Sequence, residues 1–338
     1  MPDLPTIWFV LIGVLLVGYA VLDGFDLGVG ILHLVIARTD SERSTLMRAI
    51  GPVWDGNEVW LLTMGGALFA AFPIVYATVF SGFYLALVLL LVALILRAVA
   101  MEFRHHLASP GWRRAWDVAF FTGSVLPALL LGVAIGNVAR GLPLTDGAYT
   151  GGLPGLLNPF ALVVGLAAVA MFVLHGALWL TIRTRDALRD RAWTAARMGW
   201  VAFVALWAVM TVWARADAGH LFASYGSVLA WALPVLFVIA ALASGAAILA
   251  RRAGLAFAAS SATIAALIGI LGVALYPDLV PDRSGGAGLT VSSAASSDLT
   301  LTVMLVIAVI GMPLVLGYTA FIYRHFWGPV DEEAAGGY

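Results

Sequence analysis

The fold is decided by the stretch at residues 7–37, IWFVLIGVLLVGYAVLDGFDLGVGILHLVIA. A membrane-spanning helix needs about 20 mostly apolar residues. This stretch is longer, so it predicts a helix that tilts or projects beyond the bilayer. Similar stretches follow at about 52–72, 74–101, 115–139, 159–182, 192–214, 227–250, 254–276 and 299–327. The sequence therefore predicts an all-α polytopic membrane protein with nine transmembrane helices.

The composition agrees with this prediction. Of 338 residues, 62% are hydrophobic and 11% are charged, whereas soluble chains are about 45–50% apolar and about 25% charged. The linkers are short, and the longest, at 277–298, is rich in Gly and Ser. We therefore expect residues 1–338 to form a single transmembrane domain.

Two absent residue types exclude several classes of protein. The chain has no Cys, and all 18 basic residues are Arg. Without Cys there is no thiolate metal site, no cysteine-ligated iron–sulfur cluster and no c-type haem attachment. Without Lys there is no retinal Schiff base and no P-loop lysine. The arginines follow the loops and form no basic patch, so we expect no nucleic-acid partner.

The arginines also predict the orientation in the membrane. In a nine-span arrangement, three of the 18 fall on one side, namely Arg140, Arg215 and Arg283. The other 15 fall on the opposite side: Arg38, Arg43, Arg48, Arg97, Arg104, Arg113, Arg114, Arg183, Arg185, Arg189, Arg191, Arg197, Arg251, Arg252 and Arg324. Because cytoplasmic loops are enriched in Arg and Lys, the C-terminus is predicted to be cytoplasmic and the N-terminus external.

The first candidate site lies inside the first span, at Asp23-Gly-Phe-Asp-Leu-Gly-Val-Gly30. A carboxylate at the bilayer centre costs about 2.5–3.5 kcal/mol on insertion scales. Two carboxylates in one span therefore indicate a function or bonding partners that offset this cost. At about 100° per residue, Asp23, Asp26, Gly30 and His33 share a sector of about 80°. This pattern indicates a proton-carrying stripe that faces the protein interior and leads toward His33. The alternative is that both Asp side chains only hydrogen-bond to neighbouring helices.

The same segment contains a small-xxx-small pair. Gly24 and Gly28 lie on a different side of the helix from the acids. Small residues at this spacing let a second helix approach closely.

The second candidate site is WDGNEVW at residues 54–60. Asp55 and Glu58 are three residues apart and share a helix face, whereas Asn57 points elsewhere. Both acids are predicted to lie in the cytoplasmic half of the membrane, at a depth similar to that of His33 and Asp26. The alternative is that the acids complement the helix dipole.

The second site also contains two tryptophans. Trp54 and Trp60 are either interface residues or members of an aromatic belt. At the predicted cytoplasmic ends of the third and fourth spans, Glu102 and Asp117 could extend the acidic set. The alternative for these two is a solvated charge near the loop arginines.

The histidines argue against haem ligation by this chain. Only His33 and His175 lie inside predicted spans, and both lie toward the cytoplasm. A bis-His haem needs two His on facing helices with supporting hydrogen bonds. We therefore expect this chain to ligate no haem and no metal.

Residues 23–30 and 54–60 resemble signatures of subunit II of cytochrome bd-type quinol oxidase. The likeness continues through GGALFAAFP at 65–73, SGFY at 81–84, LNPF at 157–160 and LTLTVM at 299–304. It thus covers nearly the whole chain in order. One departure is Glu58, where relatives often carry Gln, and the change adds an acid.

The resemblance implies a function, a location and an architecture. The family is a complex of the bacterial cytoplasmic membrane that oxidises quinol and reduces O2 to water in aerobic respiration. Each large subunit has two four-helix bundles and one peripheral helix. On this chain these are bundle 1 at about 7–139, bundle 2 at about 159–276 and the peripheral helix at about 299–327.

The resemblance also implies partners and site residues. Subunit I carries two b-type haems, one d-type (or b-type) haem and the quinol site, and small single-helix accessory subunits and membrane lipid are further partners. Asp55 becomes the best proton-relay candidate. Asp26, Asp23 and Glu58 extend the predicted proton path, and Trp54 and Trp60 become candidates for the interface with subunit I or its haems.

Two other functions are consistent with the residues alone. In a proton-coupled secondary transporter, Asp23, Asp26 and Asp55 would bind the coupling ion. Such transporters show broken helices and inverted repeats, and the sequence offers no convincing matching half. In a purely structural subunit, every buried acid would serve assembly.

Overall fold

Helices make up most of the chain in the computed structural model, which describes residues 3–226 and 229–330. They are α1 (Leu4–Ile36), α2 (Asp40–Ile50), α3 (Trp54–Ala71), α4 (Pro73–Gly82), α5 (Tyr84–Phe103), α6 (Pro110–Arg140), α7 (Gly152–Leu156), α8 (Pro159–Arg183), α9 (Asp186–Asp217), α10 (Ala232–Leu249), α11 (Ala253–Leu275) and α12 (Asp298–His325). Two small antiparallel hairpins pair β1 (Leu144–Thr145) with β2 (Ala148–Tyr149), and β3 (Asp278–Val280) with β4 (Leu289–Thr290).

Short polar side chains fix where several helices begin. The Asp3 carboxylate accepts a hydrogen bond from the Thr6 amide at 3.0 Å and starts α1. Asn158 does the same for the Ala161 amide at the start of α8, also at 3.0 Å. These caps satisfy amide groups that have no partner inside a helix.

Eight helices in the described part of the chain are long and apolar enough to cross a membrane: α1, α5, α6, α8, α9, α10, α11 and α12. The prediction of an all-α polytopic membrane protein is therefore confirmed. The predicted second span corresponds to α3, which falls outside this count because Asp55, Asn57 and Glu58 in its first turns lower its hydropathy. The first two residues of the predicted seventh span, 227 and 228, lie outside the described residues.

The predicted third span, 74–101, is wrong in one respect because it consists of two helices. Between them, Phe83 interrupts α4 and α5. The hairpin β1–β2 packs against this point: a Cβ on Gly82 would lie 2.8 Å from Tyr149, and Thr78 donates a hydrogen bond to the Gly147 carbonyl at 2.6 Å. A hairpin about 70 residues away in the sequence thus packs at the break, and the apolar pattern of this stretch does not reveal it.

Helices α1 and α8 lie at the centre of the protein. α1 packs against α3, α6, α8 and α11, and α8 packs against α6, α9 and α11. The two helices cross at Gly28 and Gly176, where a Cβ on Gly28 would lie 1.8 Å from the Phe172 carbonyl oxygen. A Cβ on Gly24 would lie 2.7 Å from the Phe172 ring. The predicted close approach at Gly24 and Gly28 is thus confirmed, and it fixes which face of α1 turns toward the other helices.

The two ends of the bundle differ. Arg104, Arg113 and Arg183 lie at one end, which we call the arginine-rich end. At the opposite end, Asp217 binds both Arg140 and Arg283 at 2.6 Å. This shared carboxylate joins the ends of α6 and α9 to the loop between β3 and β4.

Candidate functional site

The stripe predicted on α1 faces the interior. Asp23, Asp26 and His33 are fully buried, and Gly30 is buried with them. Because α1 crosses α8 on its glycine face, the acids turn toward α3, α5 and α6. The predicted orientation of the stripe is therefore confirmed, and the partners of each side chain decide what it can do.

Asp23 forms a buried ion pair with Arg97 of α5. Arg97 Nη1 lies 3.0 Å from Asp23 Oδ2, and Arg97 Nη2 contacts Asp23 Oδ1. Both side chains are fully buried. This bidentate geometry is the strong form of an Arg–carboxylate interaction. The positive charge of Arg97 therefore balances the negative charge of Asp23.

Asp26 has no such partner. Its Oδ2 accepts a hydrogen bond from Asn57 Nδ2 at 2.7 Å. Within residues 3–226 and 229–330, its buried Oδ1 has no hydrogen-bond partner and no ion pair reaches the side chain. Two acids on one face of α1 thus have opposite environments, one bound to a guanidinium and the other to an amide.

Asn57 connects α3 to two other helices. Its Nδ2 also donates to the Leu22 carbonyl at 3.2 Å, and its Oδ1 accepts from the Tyr323 hydroxyl of α12 at 3.0 Å. The sequence correctly predicts that Asn57 points away from Asp55 and Glu58. The face directed at α1 is the Asn57 face, and the hydrogen bonds run from Tyr323 through Asn57 to Asp26.

The two acids of α3 lie in different surroundings. Glu58 is mostly buried, and its Oε1 lies 3.7 Å from Arg97 Nη2, so it adds a second carboxylate to the Asp23–Arg97 pair. Asp55 is exposed on the outer face of α3. Neither a hydrogen bond nor an ion pair to Asp55 occurs among the described residues.

The two tryptophans also differ in position. Trp54 is half-buried at the start of α3. Trp60 is buried between α3 and α1, where it packs with Leu15 and Tyr19. A Cβ on Gly18 would lie 2.1 Å from the Trp60 ring, so the indole occupies the space beside this glycine. Trp60 therefore packs inside this chain.

His33 belongs to a charged network at the arginine-rich end. His33 Nε2 lies 2.7 Å from Asp117 Oδ1, and Arg104 Nε lies 2.6 Å from the same oxygen. Arg104 also reaches Asp40 at 2.6 Å. Burial alone would lower the pKa of Arg104, but the carboxylates of Asp117 and Asp40 outweigh it and raise that pKa above its ordinary value. The network therefore holds Arg104 charged although it is fully buried.

The structure separates the two acids proposed to extend the site. Asp117 is buried in the network around Arg104, so it is not a solvated charge. Glu102 is exposed near the end of α5.

His175 lies in a neutral, fully hydrogen-bonded environment. Its Nε2 lies 3.0 Å from the Val21 carbonyl, and its Nδ1 lies 2.7 Å from the Ser260 hydroxyl. The ring stacks on Phe257 with 4.5 Å between centroids. Since a carbonyl only accepts, Nε2 carries the hydrogen. Nδ1 faces the Ser260 hydroxyl, which can direct its one hydrogen to Nδ1 or to the Phe257 carbonyl 2.8 Å away. Both ring nitrogens are therefore in use.

Three residues of the site are not predicted from the sequence. The sequence pattern groups Arg97 and Arg104 with the loop arginines, yet both are fully buried ion-pair partners of Asp residues. Arg97 lies nearly two turns before the end of α5, so its position inside a predicted span indicates a buried partner. Tyr323 gave no signal, because its contact with Asn57 joins positions 266 residues apart.

No cluster of three or more His, Asp or Glu that could hold a metal ion occurs in the described part of the chain. The buried groups instead form one set of acid, amide, hydroxyl and guanidinium groups in the middle of apolar helices. Such a set can bind and pass protons.

The chain is similar to known proteins over almost its whole length. The family model described as cytochrome bd terminal oxidase subunit II matches residues 4–326. The probable cytochrome oxidase subunit 2 of Haemophilus influenzae is 41% identical, over 97% of this chain and 95% of that protein. Subunit 2 of the cytochrome bd-I ubiquinol oxidase of Escherichia coli is 38% identical over the same shares.

A solved structure agrees in fold. A chain of the bd oxidase from Geobacillus thermodenitrificans matches with a TM-score of 0.79 at 18% identity, covering 96% of this chain and 98% of that chain. Fold, family model and full-length relatives therefore lead to one conclusion: this chain belongs to the family of cytochrome bd terminal oxidase subunit II, membrane proteins of the bacterial respiratory chain that act together with a subunit I.

Proposed function

We propose that this chain is subunit II of a complex that oxidises quinol and reduces O2 to water, and that it carries protons toward the haems of subunit I. The observation that carries the proposal is the fully buried pair Asp23 and Asp26, connected to α3, α5 and α12. Ionisable residues inside a membrane helix are costly, and they most often mark an ion or proton pathway.

The two acids of α1 have different roles in this proposal. Asp23 is committed to Arg97, which holds α1 against α5 and gives the site a fixed positive group. Asp26 binds only the neutral amide of Asn57, so it is free to bind and release a proton. A carboxyl group without a bound cation exchanges protons more readily than one paired with Arg. Asp26 is therefore the proton carrier, and Asp23 positions the helices.

Asp55 is the residue at which protons leave this chain. It is exposed on the outer face of α3, beside the half-buried Trp54. Docking of subunit I on this face would bury Asp55 and turn it into a relay between the two subunits. Glu58, near Arg97, lies on the proposed path between the buried acids of α1 and Asp55. Trp54 would pack against subunit I and exclude bulk water. Trp60 holds α3 against α1 on the inner side of α3.

This chain is proposed to ligate no haem. Both ring nitrogens of His175 are hydrogen-bonded, and Nε2 of His33 is bound to Asp117. Two b-type haems and one d-type (or b-type) haem then belong to subunit I, where they supply the electron transfer and O2 chemistry. Quinol and O2 are substrates of the complex.

The proposed topology has nine spans, with α3 as the second. α1 packs against α3 and α6 in one half, α8 packs against α9 and α11 in the other, and α12 is peripheral because Leu301 is its only fully buried residue. This arrangement supports two four-helix bundles plus one helix. The arginine-rich end is cytoplasmic, so the N-terminus is external and the C-terminus cytoplasmic. Asp217 neutralises two of the three arginines that fall outside, Arg140 and Arg283.

Further partners follow from the outer surface. Large apolar side chains are exposed along α5 and α12, for example Leu89, Ile95 and Ile307. In the complex these faces contact membrane lipid, subunit I or small single-helix accessory subunits.

A proton-coupled transporter would be complete without a haem protein. Purification of the tagged chain from its membrane tests this directly. We expect it to come out with a haem-bearing partner of comparable size, and the absorption spectrum of the complex to show haems that the isolated chain lacks. A stable chain that does not co-purify with a haem protein would contradict the proposal and favour a transporter.

The proton path is tested with Asp55→Asn in the purified complex. We expect haem content and yield to stay normal while O2 reduction slows, because the amide cannot carry a proton. Asp190→Asn is the matched control, since Asp190 is also exposed but pairs with Arg251 far from this site. Normal turnover in Asp55→Asn would remove Asp55 from the path. Loss of assembly would indicate a structural role instead.

A further inference from the structure

His33 differs from the other buried histidine in one respect. Its Nε2 is bound to Asp117, but its Nδ1 is buried and has no hydrogen-bond partner within residues 3–226 and 229–330. In His175 both nitrogens have partners. Because Asp117 also binds Arg104, its oxygen acts as an acceptor and Nε2 keeps its hydrogen. Nδ1 is thus the atom of His33 that can gain and lose a proton.

Gly30 lies between His33 and Asp26 on the same face of α1, about 6 Å along the helix axis from Asp26 and about 4.5 Å from His33. Because glycine has no side chain, the helix surface is open at this position. A Cβ on Gly30 would lie 1.9 Å from the hydroxyl oxygen of Ser124 in α6. The hydroxyl therefore reaches the α1 backbone only because residue 30 is glycine.

Ser124 is suited to pass a proton. It is fully buried, and its hydroxyl donates to the Phe120 carbonyl at 2.7 Å, which leaves its lone pairs as acceptors. A hydroxyl can accept one hydrogen while donating another. Along α1, Gly30 and the Ser124 hydroxyl beside it lie between two residues that each have a buried atom without a partner in the described chain, Nδ1 of His33 and Oδ1 of Asp26. Buried polar atoms of this kind are usually satisfied by internal water.

Three charged groups lie around the Nε2 side of His33. Asp117 of α6 lies 2.7 Å from Nε2, and Arg104, which follows α5, binds the same carboxylate oxygen at 2.6 Å. Arg43 lies 3.5 Å from the second oxygen of Asp117. Histidine is the side chain whose charge changes most readily between pH 5 and 8.

We propose that His33 takes up protons at the arginine-rich end and passes them along the α1–α6 contact, past the Ser124 hydroxyl at Gly30, to Asp26. The Nδ1–H bond of the charged ring breaks, the proton moves through the hydroxyl and associated water, and an O–H bond forms on the Asp26 carboxylate. The ring is then neutral and is protonated again from the cytoplasm. This proposal rests on the proton path proposed above and names its uptake point.

The experiment measures O2 reduction by the purified complex between pH 5.5 and 8.5 (a range of about three pH units around the ordinary pKa of His). We expect His33→Gln to slow turnover about tenfold and to remove a pH-dependent component present in the unmodified complex. Ser124→Ala should slow turnover similarly. Because the two residues act in series, the double variant should be no slower than the slower single variant. His106→Gln is the matched control, since His106 is exposed at the same end.

Each outcome decides the proposal. Normal turnover and an unchanged pH profile in His33→Gln would overturn it. If His33→Gln does not assemble, Ser124→Ala carries the test, and its normal turnover would overturn the proposal. If Asp26→Asn is slow while both of these variants are normal, the proton path stands and its uptake point lies elsewhere. If Asp26→Asn is also normal, the proposed function itself fails.

Discussion

The surroundings of α1 and of α8 share a packing scheme but differ in chemistry. α1 packs against α3 and α6, α8 packs against α9 and α11, and the two central helices meet at Gly28 and Gly176. Around α1 the interior holds buried acids, an arginine and an unsatisfied histidine nitrogen. Around α8 it holds His175 with both nitrogens hydrogen-bonded, and none of the described carboxylates of α8–α11 is buried.

This difference indicates a structural role for the polar residue near α8 and a role in proton transfer for those near α1. A neutral, fully hydrogen-bonded histidine joins helices inside a membrane protein at a small cost in free energy. A buried charge costs several kcal/mol before its partner offsets it, so the charges near α1 are not needed for packing alone. Around His175 the helices pack without a buried carboxylate, and the buried arginine of α8, Arg183, lies at the end of that helix, where it donates to the carbonyls of Phe326 and Gly328.

The largest expected effect comes from breaking the ion pair near α1. Arg97→Leu leaves the Asp23 carboxylate buried without its cation, which should cost about 3–5 kcal/mol. We expect loss of most of the assembled complex and a lower melting temperature in detergent. Removing both charges in Asp23→Leu with Arg97→Leu should recover much of the stability. Arg251→Leu, in an exposed pair with Asp190, should change stability by about 1 kcal/mol or less. Equal stability of Arg97→Leu and Arg251→Leu would show that the buried pair contributes little.

A smaller effect is expected in the α8 region. His175→Leu removes two hydrogen bonds, to the Val21 carbonyl and to the Ser260 hydroxyl, at a cost of about 1–3 kcal/mol. The melting temperature should fall, whereas turnover per assembled complex should stay unchanged, because His175 has no part in the proposed proton path. Slow turnover at normal stability would contradict the division between the two regions.

The smallest effect concerns the end of the protein opposite the arginine-rich end. Asp282 accepts hydrogen bonds from the amides of Ser284, Gly286 and Leu144 at 2.8, 2.9 and 3.1 Å. The Ser284 amide holds the pKa of Asp282 below its ordinary value, against the opposing effect of partial burial. Such a carboxylate stabilises the fold above its unfolded pKa of about 3.9, and the contribution is lost as the pH falls through the lower folded value.

Hydrogen exchange checks this last prediction. The Ser284 and Gly286 amides should be protected at pH 7, and they should lose protection below about pH 4 after correction for intrinsic exchange. Asp282→Asn should reduce their protection at pH 7 and leave the polar residues near α1 unaffected. Unchanged protection across this pH range would mean that the carboxylate does not hold the loop.

The sequence predicts those features that depend on one helix at a time. The apolar runs predict most spans, and the angular spacing of Asp23, Asp26 and His33 predicts their common buried face. The spacing of Gly24 and Gly28 predicts the close helix contact. Each of these follows from the 3.6-residue period of an isolated helix.

Features that depend on two helices escaped the sequence. The assignment of Asp23 to Arg97 and of Asp26 to Asn57 is set by how α5 and α3 are rotated against α1, which a single sequence does not specify. The break at Phe83 likewise lies against a hairpin that folds back onto α4. Arg97 is the exception, because a charge within a predicted span indicates a buried partner.

We expect Asp26, the buried acid without a cation, to carry protons for O2 reduction. The most direct test is the rate of O2 reduction by the purified complex with Asp26→Asn, measured beside its haem spectrum. We expect this complex to keep its haem spectrum and yield, while its turnover is slower by about tenfold or more. Turnover equal to that of the unmodified complex, with the haems intact, would contradict this expectation.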